Sequence, residues 1–136
     1  MTDEKSSPAT PVDLTWAYPG KYFYLASPYS KWAEGIDDAA HVIAKVAGKL
    51  IRQGLPVFSP IAHSHTVARA AAIDPYSHEI WLAADKPIFE GAAGMIVAAL
   101  PGWRESFGIG EEVKWCREHD KPVWLLDVET LTLAAL

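Results

Sequence analysis

The sequence is short of four things, and each shortage excludes a class of function. It has one cysteine, Cys116, in 136 residues, so no disulfide forms within the chain and a reducing cytoplasm is the expected location. It has no excess of basic residues: 12 Lys and Arg stand against 17 Asp and Glu, a net charge of −5. A nucleic-acid partner is therefore not expected, since neutralising phosphates takes a basic face. It has no apolar run near the roughly 20 residues that span a bilayer, so no membrane partner is expected. The opening residues, Met1 to Pro8, lack the basic and apolar regions of a secretion signal. Internal repeats and low-complexity segments are also missing.

What is there reads as one domain behind an arm. Residues 1–20 carry Pro8, Pro11 and Pro19 among small polar residues, the composition of a flexible N-terminal arm, with Trp16 and Tyr18 available to pin its end. Residues 21–136 alternate strand and helix patterns. Lys21 to Ala26 is a nearly continuous aromatic and apolar run, as a strand buried on both faces should be. From Ala33 to Gln53, Ile36, Ala40, Ile43, Ala47 and Leu50 recur every three or four positions, predicting an amphipathic helix closed by Gly54. Leu55 to Phe58 makes a second short strand, completing a right-handed βαβ unit. A helix is expected over Tyr76 to Glu90, with Ile80, Leu82, Ala83 and Ala84 near the core. A central strand follows over 94–100, a helix over 107–119 and a last strand over 121–126. The remainder, to Leu136, reads as a short tail able to pack on a neighbouring subunit. The pattern predicts an α/β fold whose parallel sheet of four or five strands has helices on both faces.

Function is expected between Leu100 and Glu112. There an apolar run, Met95 to Leu100, meets Pro101, Gly102, Gly108 and Gly110 before Ile109, Val113 and Cys116 begin a helical face. Strand, glycine-rich loop and helix place this stretch where open α/β sheets bind ligands, at the carboxyl ends of their strands. Cys116 on the apolar helix face reads as a buried structural thiol. Ser27 to Lys31, after the first strand, is either an ordinary turn into a helix or a phosphate or sugar contact. Trp81 and Asp85 lie one helical turn apart. Asp85 is either a general acid whose pKa an apolar neighbour raises, or a solvated carboxylate paired with Lys86 or Lys31. His63 and His65 present two imidazoles, with Asp74 and His78 as further zinc ligands to consider. A spacing of two aligns them on one face only in extended chain. Because the following residues look helical, hydrogen-bonding loop histidines, no metal and no cofactor are expected.

Four stretches together resemble the DUF1937 family of bacteria and phages. They are Tyr24 to Ser30, Ser59 to His65, Trp81 with Asp85, and Leu100 to Glu112. That family looks like a branch of the nucleoside 2-deoxyribosyltransferase superfamily, and the likeness spans about Lys21 to Leu126. The resemblance implies a flavodoxin-like, doubly wound sheet and a homo-oligomer, a dimer or tetramer whose subunits complete one another's sites. It implies a glutamate nucleophile six residues after a Ser or Asp. The run from Ser106 to Glu112 fits that spacing and nominates Glu112, with Glu111 at a variable position. Tyr24 matches the tyrosine ending the first strand, and Asp85 the aspartate that handles the base. The matching stretches imply substrate contacts from Ser27, Pro28 and Tyr29, from His63 and Trp81, from Trp103 and Arg104, and from Ser106, Gly108 and Gly110. Ser106, where transferases tend to carry Asp, favours a 5′-monophosphate substrate or water as acceptor.

The chemistry stands beside the likeness. Breaking an N-glycosidic bond passes through an oxocarbenium-like sugar, which an ionised carboxylate both stabilises and attacks. Glu112, expected near a helix N-terminus, should be held ionised by the dipole, and backbone N–H groups beside Ser106 suit a phosphate. Its bland alternative is a first-turn glutamate that only stabilises the helix. The expected function is an N-glycosidic enzyme acting on a nucleoside or nucleotide. The alternatives are a non-catalytic nucleotide-binding or sensing module of the same fold, and a zinc hydrolase using His63 and His65. On the leading reading, residues 24, 27, 85, 106 and 112 surround one pocket.

Overall fold

A computed structural model describes residues 8–136; the first seven residues of the expected arm lie outside them. The next part of that arm is a short helix, α1 (Pro11–Ala17). Thr10 and Asp13 form a reciprocal capping box and Pro11 occupies the first turn, so three short-range signals agree on where the helix starts. Leu14 is 2% exposed and joins the core. Ala9 exchanges backbone hydrogen bonds with Leu133. The mobile-arm expectation therefore does not hold from Ala9 onward.

Two strands carry the fold. β1 (Phe23–Ala26) and β3 (Gly94–Ala98) are buried at every position, which is why both read as continuous apolar runs. Between them lie α2 (Ile36–Arg52), β2 (Val57–Phe58), α3 (Pro60–Ala71) and α4 (His78–Gly91). α5 (Phe107–Glu118), β4 (Val123–Asp127) and β5 (Thr132–Ala135) complete the chain. The five strands lie in the order β2-β1-β3-β4-β5, the first four parallel and β5 antiparallel to β4. This is a mixed α/β fold consistent with a flavodoxin-like sheet.

Alternation along the strands divides the core in two. Phe23, Leu25, Ile96, Ala98 and Leu126 face α1 and α2, where Leu14, Ile43, Val46 and Leu50 cover them. Ala26, Met95, Val97 and Val123 face α5, covered by Ile109, Val113 and Cys116 with Phe89 of α4 beside them. Helices lie on both faces, as the alternating pattern predicts. No helix among the described residues is long and apolar enough to cross a membrane.

Three local expectations are corrected. The tail after residue 126 is not free but forms β5, because Asp127 accepts from Glu129 N and Thr130 N and turns the chain back. The histidine stretch is not a loop: Ser59 caps α3, its Oγ accepting from Ala62 N, and Pro60 sits in the first turn. The third concerns α4, which buries none of its residues; Ile80 and Leu82 are 45% and 66% exposed. Its partly buried side carries Trp81, Asp85 and Phe89, spaced by four, because the helix leans over an opening instead of over the sheet. Trp32 and Trp103 are partly buried against their own chain. The exposed aromatics among the described residues are Trp16, Tyr76 and Phe107.

Gly94 sits in a central strand because no side chain fits there. A Cβ would stand 2.5 Å from the Pro122 carbonyl oxygen and 2.8 Å from its ring. Gly94→Ala should therefore destabilise the chain by about 2–3 kcal/mol, the cost of forced overpacking, read as a fall in the urea midpoint. Leu14→Ala should cost about 2–4 kcal/mol as a buried leucine does, whereas a loose arm would leave the midpoint unchanged.

Candidate active site

The helix following β1 packs on one face of the sheet and the helix following β3 on the other. Two adjacent parallel strands whose connections diverge in this way leave a crevice at their carboxyl ends. A cleft of about 540 Å³ opens there, between α4 and α5. Its floor is the end of β1, which supplies Tyr24, Ala26 and Ser27. α4 contributes Trp81, Asp85 and Phe89, and α5 contributes Glu111, Glu112 and Trp115, with Ser106 and Gly108 at its start. Tyr29 and Tyr76 line the cleft as well.

All five residues expected around one pocket, Tyr24, Ser27, Asp85, Ser106 and Glu112, line this cleft. Of the expected substrate contacts, Tyr29, Trp81 and Gly108 line it as well. Pro28, His63, Trp103, Arg104 and Gly110 do not. Arg104 instead lies over the Trp103 ring, 4.8 Å from its centroid, in the turn before α5. In helical chain, residues two apart project about 200° from each other, and so His63 and His65 part company. His63 packs near Phe58, centroids 5.4 Å apart. His65 is buried, 2.7 Å from the Tyr29 hydroxyl and 2.8 Å from an Asp37 carboxylate oxygen. Asp37 also receives Arg69, so a chain of polar contacts runs from α2 through His65 to hold Tyr29 at the cleft.

Charge is the cleft's main feature. Glu112 is partly buried, and burial with Asp85 opposite pushes its carboxyl up to about 8. Burial also raises Asp85, against a lowering by His63. Tyr24 is raised by burial and then by both carboxylates. The expectation that the helix dipole keeps Glu112 ionised is thus overturned. Glu112 is the sixth residue of α5, beyond the first turn where that effect acts, and desolvation outweighs it. Ser106 also differs from expectation: its Oγ caps α5 by accepting from Ile109 N at 3.2 Å. Two polar atoms stand without partners at the same place, Ser27 Oγ and Asp85 Oδ1. Buried polar atoms left open in a concave site are where a ligand makes its hydrogen bonds.

Phe89, Trp115, Tyr76 and Glu111 were not singled out as site residues from sequence, yet all line the cleft. Phe89 bridges Tyr24 and Trp115, with centroids 4.8 and 5.0 Å away. The signal for two of them was present. Phe89 is one turn beyond Asp85 and Trp115 one turn beyond Glu112, on the same helix faces. Cys116 is buried, its thiol pushed up to about 11 by burial and by Glu112, in keeping with a structural role.

A family model, "Domain of unknown function (DUF1937)", matches residues 21–128, and the chain belongs to that family. No curated protein matches it.

The Glu112 shift has a consequence for stability. A carboxyl that ionises near 4.5 when unfolded and near 8 when folded keeps its proton in the native state while the unfolded state loses its own. Its contribution to stability therefore falls as pH rises through that window. Glu112→Gln should match wild type near pH 5 and exceed it by about 2 kcal/mol at pH 8.5, at roughly 1.4 kcal/mol per unit less relaxation. Denaturant titrations at both pH values check this; a difference that does not grow with pH contradicts it.

Proposed function

We propose that this member of the DUF1937 family is an N-glycosidic enzyme, hydrolysing or transferring the base of a nucleoside-type substrate. The likeness to nucleoside 2-deoxyribosyltransferases is part of this reading. The observation that carries it is the meeting of Tyr24, Asp85 and Glu112, from three separate elements, in one cleft with two mutually repelling carboxyls.

Two such carboxyls hold one proton between them over a wide pH range. With the proton on Asp85, Glu112 is the free carboxylate and Asp85 the acid, so one transfer prepares both roles. The C1′–N bond then breaks and its electron pair leaves on the base nitrogen, which takes the Asp85 proton. A Glu112 oxygen bonds to C1′, as in retaining glycoside chemistry. Water, or the nitrogen of a second base, next attacks C1′. Glu112 departs as carboxylate and the incoming group's proton returns to Asp85. Tyr24 holds the nucleophile in line, and Phe89 and Trp115 supply the apolar wall that keeps solvent from the ion pair. The reading includes assembly into a dimer or tetramer.

Glu112→Gln removes the charge at constant shape. It should retain nucleoside binding while base release, followed by chromatography over a panel of nucleosides and 5′-monophosphates, falls about 10³-fold or more. For a neutral leaving base, kcat/KM should decline above about pH 8, where the pair loses its last proton. Binding without base release by the wild-type chain identifies a sensing module instead.

A further inference from the structure

The lining of the cleft narrows its ligand further. Four carboxyl groups line it: Asp85, Glu90, Glu111 and Glu112. Among the described residues in the lining, the basic side chains are Lys86, which is bonded to Glu90, and the imidazole of His78. Arg104 lies over Trp103, outside the cleft, and Arg69 is committed to Asp37. A phosphate placed here would face four carboxyl groups with no unpaired lysine or arginine in the lining to receive it. The start of α5 is also partly spoken for, because Ile109 N donates to the Ser106 hydroxyl.

Aromatic rings complete the lining. Tyr24, Phe89 and Trp115 form one continuous wall; Trp81 and the pair Tyr29 and Tyr76, 6.3 Å apart, line the cleft with them. Carboxylates among aromatic rings are the surroundings in which organic cations bind. Ser27, 7% exposed with its hydroxyl unpartnered, opens on the same space and suits a sugar hydroxyl or an amide.

We propose that the ligand of this cleft is a cationic N-glycoside: a pentose joined to a positively charged heterocycle such as a pyridinium, without a phosphate. The proposal rests on the N-glycosidic reading and makes its chemistry simpler. When the C1′–N bond breaks, the electron pair leaves on nitrogen and cancels the ring's charge, while Glu112 bonds to C1′. No proton has to reach the leaving group, and Asp85 serves as a counter-charge. The groups facing Glu112 are Tyr24 from β1, Asp85 from α4 and Cys116 from its own helix. None of them is a cation, so a bound cation draws Glu112 into its ionised form and binding expels its proton.

The test is calorimetry on the full chain at pH 7, in buffers of different ionisation enthalpy. The probes are nicotinamide riboside, in ribose and 2′-deoxyribose forms, the neutral dihydropyridine form of each, and nicotinamide mononucleotide. The pyridinium riboside should bind about tenfold or more tighter than its dihydro form and than the mononucleotide, a difference of about 1.4 kcal/mol. Its binding should release close to one proton, and Glu112→Gln should abolish that release. Glu111→Gln, at an exposed position, and the isosteric Asp85→Asn should each weaken it several-fold. Equal affinity for the dihydro form, tighter binding of the mononucleotide, or no binding of the riboside at millimolar concentration overturns the proposal. Riboside bound with proton release but no nicotinamide freed upholds the ligand class and removes the glycosidic reading. Base freed only from neutral nucleosides or monophosphates does the reverse.

Discussion

β1 and β3 run side by side in the same direction, and the chain leaves them toward opposite faces of the sheet. That divergence is what opens the cleft. The register pairs Tyr24 with Met95 and Ala26 with Val97, which sets the end of β1 as the floor and brings the start of α5 alongside it. Close packing at the other end of the pair fixes this geometry. There Gly94 accepts Pro122 against its backbone at a distance no side chain permits. With two strands fully buried on both faces, the framework has little room to shift, and the residues at its edge inherit that rigidity.

The cleft itself is held less firmly. α4 brings Asp85 over the opening without burying any residue of its own, and it carries Pro87 inside its length. An element with few buried contacts opens at low free energy, so the wall bearing one carboxyl is the part most free to adjust to a ligand. α5 is the opposite case, anchored by Ile109, Val113 and Cys116, and it carries the other carboxyl. Bringing a carboxylate partly out of water, opposite another, costs stability in the free protein. A site with that cost favours whatever relieves it, which is a proton on Glu112 or a positive charge beside it.

The framework was legible because burial leaves a plain mark on sequence. Phe23 to Ala26 and Met95 to Ala98 could be read as central strands, and Ile43, Ala47 and Leu50 as a helix face, from apolar spacing alone. The convergence of Asp85 and Glu112 was not legible that way. Two acids on helices look the same in sequence whether they face each other or water; Asp85 was a candidate from its spacing to Trp81, and the family likeness was what joined it to Glu112. α1 and β5 were missed because Pro11 and the alanines Ala134 and Ala135 give weak local signals, and only pairing and packing decide them. Ser59-Pro60 serves equally as a turn and as a helix start, so His63 and His65 were placed on a loop. The face of α4 was misjudged because its inward side borders a cleft, where Trp81, Asp85 and Phe89 replace aliphatic residues. The ionisation of Glu112 was misread because one residue's distance from a helix end is visible in sequence, whereas its desolvation is not.

The central claim is that Glu112 holds a proton near neutrality because it is desolvated and faces Asp85. Carbon-13 NMR of the Glu112 side-chain carboxyl, titrated in wild type and in Asp85→Asn, measures that directly. The structure predicts a midpoint near 8 in wild type and a lower one in Asp85→Asn, still above the ordinary glutamate value because burial remains the larger cause. A midpoint near 4.5 in wild type, unmoved by Asp85→Asn, would contradict it.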